Sequence, residues 1–278
     1  MHPPKEIEGS FRPRPADANK YSVGTVTVIG GSSHYINAPV IAALGARAAG
    51  AGLVQLVVPD ASRIGASALV PEATFTKLVA TCVPPKADAT VIGMGLGRSV
   101  SSEVIVTRVL SGSRGRFVID ADALAILAEW YAKLGGYDPA PGQELVLTPH
   151  EGEAAKLLGV TREQISRDRR ANAIAIAERY GANVILKGSH TLVVSADGKR
   201  VYENMTGNPF MALGGMGDLL AGVIGARWAY LKDDAFLAAA SAVWLHGLAS
   251  DTLVAANADP SIVNTASSIG SLRTKLDV

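Results

Sequence analysis

Short β-branched runs alternate with alanine-rich, helically spaced segments along most of this chain, and that alternation restricts the fold more than any other feature. Thr25–Ile29 reads as a buried strand, Pro39–Ala51 as a helix, and Leu53–Val58 as the next strand, stopped by Pro59. The pattern then recurs. Strands are predicted at Ala89–Ile92, Phe117–Ile119, Leu145–Leu147 and Val184–Leu186. Helices are predicted near Ser101–Leu110, Ala121–Lys133 and Glu151–Leu158, with one more running from a Thr161/Gln164 capping box to Tyr180. Leu192–Val194 and Arg200–Tyr202 form a hairpin around Asp197-Gly198. Helices over Asp218–Tyr230, Asp233–Ala255 and Ser261–Leu276 complete the chain. Strands that alternate with helices imply an α/β fold: a mostly parallel central sheet with helices on both faces. With no internal repeat and no low-complexity linker, one domain is the simplest reading.

Glycines and polar residues gather just past the strand ends, at Gly30-Gly31-Ser32, Gly93 to Gly97, Asp120, His150 and Lys187-Gly188. Open α/β sheets bind ligands beyond the carboxyl ends of their strands, so these loops converge on one edge. The richest stretch is Asn208 to Gly222. Gly214, Gly215 and Gly217 precede Asp218, and an apolar run from Leu219 follows at once. A glycine turn feeding a helix leaves the first N–H groups free at the positive end of the dipole, an arrangement suited to phosphate. Asp218 in that setting is either an N-cap or an ionised base beside a phosphate.

Composition narrows the partners. The net charge is +1 with no long basic or acidic run, so nucleic acid and membrane surfaces are not expected as partners. One cysteine, Cys82, excludes an intramolecular disulfide and a cysteine-rich metal site. Residues 1–20 hold four prolines among charges and lack the apolar centre of a signal peptide. The apolar stretch Ala235–Ala249 is broken by Ser241 and His246 and is shorter than the ~18 residues of a membrane helix. A cytoplasmic protein is expected. Familiar motifs are missing too. There is no Walker-type phosphate loop and no G-x-S-x-G elbow. Gly93-x-Gly95-x-Gly97 is followed by Arg98, so it is not a dinucleotide fingerprint.

Several loops together resemble the ADP- or ATP-dependent NAD(P)H-hydrate dehydratases of the ribokinase-like superfamily. The similar pieces begin with Gly31-Ser32-x-x-Tyr35 and Ala38, Gly50-Ala51-Gly52-Leu53, Gly93-x-Gly95-Leu96-Gly97 and Asp120-Ala121-Asp122-Ala123-Leu124. Thr148-Pro149-His150-x-Gly152-Glu153, Lys187-Gly188-x-x-Thr191, Thr206-Gly207-Asn208, Gly214-Gly215-x-Gly217-Asp218 and Leu245-His246-Gly247 follow in order. The resemblance implies a ribokinase-like domain over residues 21–278 behind an N-terminal arm at 1–20. It implies a hydro-lyase of metabolite repair that restores hydrated NADH or NADPH by phosphorylating the ring hydroxyl and losing phosphate.

By the same resemblance Asp218 is the catalytic base, and Gly215, Met216 and Gly217 form the anion hole. Ala38, Gly95, His150 and Asp218 meet the hydrated dinucleotide. Lys187, Gly188, Ser189, His190 and Thr191, with Gly217, hold the adenine nucleotide. Tyr35, Asp120 and Asn208 are further candidates. From the residues alone His150 is equally a satisfied histidine after a proline turn, and Lys187 a surface charge. Asp120 is an N-cap or a Mg²⁺ or phosphate-site carboxylate, and Tyr35 a stacking ring or a loop closure. Departures from the family pattern are Met216 for Thr, Met94 for Pro, Asn37 for Gly, and Pro209-Phe210 after Asn208.

ADP or ATP is the expected co-substrate, with ADP favoured, and Mg²⁺ the expected cofactor, its ligands unassigned. A homo-oligomer is expected, in which the arm packs on a neighbouring subunit, together with an NAD(P)H-hydrate epimerase on a separate chain. The alternatives are a vitamin-precursor kinase of the same superfamily and a non-catalytic nucleotide sensor.

Overall fold

The computed structural model describes residues 2–112, 114–137 and 139–277. Nine strands form one sheet in the order β3-β2-β1-β4-β5-β6-β7-β8-β9. They are β1 Thr25–Ile29, β2 Leu53–Val58, β3 Thr74–Lys77, β4 Ala89–Ile92, β5 Gly115–Ile119, β6 Gln143–Leu147, β7 Asn183–Leu186, β8 Leu192–Val194 and β9 Val201–Glu203. Every pairing from β3 to β7 is parallel, while β8 and β9 run antiparallel. The expected mostly parallel sheet covered on both faces is what forms.

Alternate residues of each strand feed two separate cores. Val26, Val28, Leu56, Val91, Val118 and Ile185 point to one face. There they meet α1 (Ala38–Ala48), α8 (Met216–Leu231), α9 (Ala235–Ala255) and α10 (Ile262–Leu276). Ile29, Val57, Ile92, Ile119, Leu147 and Val184 point to the other. They pack on α3 (Val100–Gly112), α4 (Asp122–Leu134), α5 (Glu151–Leu158) and α7 (Arg169–Tyr180). Burial on both faces is why these strands read as unbroken apolar runs.

Three elements differ from the sequence reading. Helix α2 (Ser62–Leu69) and the edge strand β3 were not anticipated. Strand β3 is the half-exposed Thr-Phe-Thr-Lys, and an edge strand needs no apolar residues on both faces, so its periodicity is weak. The helix expected to continue from Thr161 to Tyr180 is broken in two, α6 (Arg162–Arg167) and α7. The Thr161/Gln164 capping box opens α6, and the Asp168 carboxylate then accepts from the Ala171 N–H at 2.9 Å to start α7.

Residues 2–20 fold onto their own chain. Ile7 is fully buried, the Phe11 ring meets Trp244 edge-on at 5.5 Å, and Arg227 donates to the Ser10 carbonyl at 2.6 Å. Helix α9 is also longer than its apolar stretch suggested. It has the length and hydropathy of a membrane span, but 72% of its most apolar window is buried inside the protein. It is a core helix.

Candidate active site

The sheet order reverses at β1, whose neighbours are β2 and β4, which makes the β1/β4 boundary a topological switch point. Gly31 N–H donates to the Met94 carbonyl at 2.9 Å and ties the two loops together. A Cβ on Gly95, whose φ is +67°, would come within 2.6 Å of the Tyr35 Cβ and 3.1 Å of the Ala38 Cβ. Glycine is therefore required by both angle and space, and three of the expected substrate-side residues, Tyr35, Ala38 and Gly95, lie side by side. Tyr35 is exposed.

Helix α8 brings the glycine turn to this edge. It crosses α1 at very short range, since a Cβ on Gly45 would overlap the Leu219 carbonyl and one on Gly222 the Ala42 carbonyl. Gly215, at φ +96°, is the N-cap, which places Met216, Gly217 and Asp218 in the first turn. Of the three N–H groups expected to form the anion hole, those of Gly215 and Gly217 have no partner among the described residues. That of Met216 differs, because it donates to the Leu213 carbonyl at 3.3 Å. The Asp218 N–H is free in its place. The Met216 side chain is buried and forms part of the cavity wall described below.

Behind the turn sits a charge cluster. Lys187, at the end of β7 with its side chain 18% exposed, pairs with Asp120 Oδ1 at 2.7 Å and lies 3.8 Å from Glu153 Oε2. Thr148 Oγ1 donates to the same Asp120 oxygen at 2.6 Å. Asp120 is thus not the cap of α4, a role that falls to Ala121 at φ +50°. Lys187 is not a surface charge either. Its burial works against the ammonium, but Asp120, Glu153 and Asp218 outweigh that and hold it above its ordinary range.

Asp218 is corrected most. The helix N-terminus suggested an ionised carboxylate, yet burial, reinforced by the negative charge of Asp120, raises it from 3.8 to about 7. Lys187 offsets only part of this. Burial pushes Glu153 up as well. His150 caps α5, its Nδ1 accepting from the N–H groups of Gly152 at 2.9 Å and Glu153 at 3.3 Å. In return the His150 N–H donates to Glu153 Oε2 at 2.8 Å. The satisfied-histidine reading therefore holds for Nδ1, while the side chain stays 61% exposed and faces outward.

A cavity of about 540 Å³ opens beside the glycine turn. Every residue of the segment Lys187 to Thr191 borders it, as do Asn208, Met216 and Gly217. A second cavity of about 650 Å³ lies across Lys187, bordered by His150, Arg162 and Arg169. Asp218, Ala38 and Gly95 border neither. Arg169 is a residue the sequence reading missed. Its guanidinium donates to the carbonyls of Ser189 at 2.6 Å and of Leu186, Lys187 and His190 at 3.2 Å, which moulds the loop. Nothing in its local sequence, inside a helical pattern, distinguishes it from a surface arginine. Glu153 was visible only as part of a motif.

This sheet, with a glycine-capped helix aiming free N–H groups at a nucleotide-sized cavity and a carboxylate at N3, defines a ribokinase-like phosphoryl-transfer scaffold. The profile of the NAD(P)H-hydrate dehydratase family matches residues 26–270. The chain belongs to that family. It is 37% identical to the ADP-dependent (S)-NAD(P)H-hydrate dehydratase of Neisseria meningitidis serogroup B, over 87% of this chain and 81% of that protein. It is 36% identical to the bifunctional NAD(P)H-hydrate repair enzyme of Gloeobacter violaceus over 87% of its own length, and spans about half (47%) of that longer protein. Its structure superposes on the ADP/ATP-dependent NAD(P)H-hydrate dehydratase of Bacillus subtilis, co-crystallised with ATP and Mg²⁺. The TM-score there is 0.84 at 26% identity, covering 97% of this chain and 95% of the other.

Proposed function

We propose that this chain converts (6S)-NAD(P)H hydrate back to NAD(P)H at the expense of an adenine nucleotide, with ADP yielding AMP, or ATP yielding ADP. The observation that carries the reading is the meeting, at one sheet edge, of free helix N–H groups, a half-buried carboxylate and a cavity bordered by the whole Lys187–Thr191 segment. Asp218 takes the proton of the ring hydroxyl, whose oxygen then attacks the terminal phosphorus of the nucleotide. The N–H groups of Gly215, Gly217 and Asp218 receive the charge on the transferring phosphoryl. Lys187 leans from Asp120 toward the phosphate oxygens. Phosphate then leaves the ring with its C–O bonding pair, the adjacent carbon loses a proton, and the double bond returns. Hydroxide is a poor leaving group and phosphate a good one, which is the reason for the detour. Ala38, Gly95 and His150 hold the dinucleotide, and Tyr35 closes over it.

Asp120 pairs with Lys187 at 2.7 Å and Glu153 lies 3.8 Å from it, and among the described residues no group of three or more His, Cys, Asp or Glu could hold a metal ion by itself. Mg²⁺ would therefore be held chiefly by the nucleotide phosphates, with Asp120 the candidate protein ligand, and would supply neutralisation of the phosphate oxygens. ADP is the donor we favour, in line with the name of the Neisseria relative. We further propose that the chain acts in the cytoplasm as a homo-oligomer and works with an NAD(P)H-hydrate epimerase on a separate chain. The kinase alternative is not favoured, since the matching family is the dehydratase one.

The test is recovery of the near-ultraviolet absorbance of the reduced nicotinamide when protein, Mg²⁺ and ADP or ATP are added to hydrated NADH. Recovery with release of inorganic phosphate is expected. A stable phosphorylated product would instead make the chain a kinase, and nucleotide binding without turnover a sensor.

A further inference from the structure

The cavity beside the glycine turn has a charged end and a nearly apolar flank. Lys187 and Gly217 mark the charged end, and Val243, His246 and Gly247 form the flank as one face of α9. The polar side chains near that flank are already occupied. Asn204 Nδ2 donates to the Thr206 carbonyl at 2.9 Å, and Thr206 Oγ1 to the Trp244 carbonyl at 2.9 Å. Asn208 Nδ2 donates to Ser250 Oγ at 3.0 Å and Asp251 Oδ1 at 2.8 Å. His246 is different. It borders the cavity and is 6% exposed as a residue. Its Nε2, covered by the ring's own surroundings and reached by a ligand only if the ring turns, has no partner among the described residues. The other buried side-chain atoms in that condition belong to Ser62, Arg169, Trp228 and Arg273, none of which borders this cavity.

Resting on the nucleotide reading above, we propose that His246 Nε2 hydrogen-bonds the nucleoside half of the adenine nucleotide and so helps select it. A buried polar atom without a partner costs stability, and such atoms are rare in folded proteins unless a ligand or water completes them. The α9 flank carries no cation for a phosphate, and the free N–H groups that would receive one lie at the α8 end. Burial pushes the imidazole down to about 4, so it is neutral at physiological pH. A neutral imidazole nitrogen donates or accepts according to its tautomer, which suits a ribose hydroxyl or an adenine edge.

Calorimetric titration of ADP with Mg²⁺ into wild type, His246→Phe and His246→Gln tests this. Phe keeps the ring and removes the nitrogen, while the Gln amide reaches toward the position of Nε2. The expected result is roughly three- to tenfold weaker ADP binding by His246→Phe, the loss of one hydrogen bond, with partial recovery in His246→Gln. The nucleotide-free Tm of His246→Phe should not fall, because an unsatisfied atom has been removed. Repeating the titration with 2′-deoxy-ADP and with inosine diphosphate assigns the partner. The wild-type advantage shrinks with the analogue that lacks it. Equal ADP affinity in wild type and His246→Phe would overturn the proposal. So would weaker binding accompanied by a lower nucleotide-free Tm, which marks a purely structural histidine. Wild type that fails to bind ADP at all would overturn the nucleotide reading itself, and this inference with it.

Discussion

The proposed base, Asp218, should set both the rate and its pH dependence. As a base it must be ionised, so kcat/KM should rise with pH and inflect near 7, the position of the nucleotide-free group. Asp218→Asn should lower turnover by roughly 10²–10⁴-fold, read from the recovery of nicotinamide absorbance. The same substitution should stabilise the empty protein. The unfolded chain releases this proton near the ordinary 3.8, whereas the folded one keeps it to about 7. Stability contributed at low pH is therefore lost as pH rises through that window. Above pH 7 the Asn variant should gain on the order of 2–4 kcal/mol in denaturant unfolding, and below pH 4 nearly nothing. The glycine turn at the start of an apolar helix was legible in sequence, with Asp218 in it as either an N-cap or a base. The protonation of Asp218 was not. That depends first on burial and then on Asp120 and Glu153, which the loop after β5 and helix α5 bring near Asp218.

At the scale of elements, the site depends on how closely α8 lies against α1. Gly222→Val should force the Ala42 carbonyl away, cost roughly 1–3 kcal/mol in unfolding free energy, and weaken ADP binding as the glycine turn shifts. Equal destabilisation with unchanged ADP affinity would show that the turn tolerates movement of its helix. Arg169→Met should act in the opposite proportion. Its guanidinium binds the carbonyls of the Leu186–His190 loop, so the variant should raise KM for nucleotide several-fold with a smaller effect on stability. Helices and parallel strands were readable because each buries a face with its own period. The edge strand β3, the break at Asp168 and the grip of Arg169 were not, since each is set by a neighbour far away in sequence.

The whole molecule is closed by its two ends. Arg227, 1% exposed, donates to the Ser10 carbonyl at 2.6 Å and pairs with Asp277 at 3.4 Å, so both terminal segments meet on α8. Deleting residues 1–20 removes Ile7 and Phe11 and uncovers Trp244 together with this buried guanidinium. It should lower Tm by several degrees, measured by differential scanning calorimetry, while KM for ADP stays within about twofold of wild type. A changed oligomeric state, seen by light scattering, would show that the segment also serves assembly.

The antiparallel strands at the far edge have a kinetic consequence. Lys187 to Thr191 is the tight connection between β7 and β8, so the nucleotide-facing loop closes with almost no chain between its ends. The glycine turn reaches its place only when α8 docks on α1, across most of the length of the chain. Local contacts form before distant ones, because a long loop must surrender more entropy to close. During refolding, amide protection should therefore appear at β7 and β8 before it appears in the first turn of α8. One wall of the cavity would then be built before the glycine turn that completes it arrives.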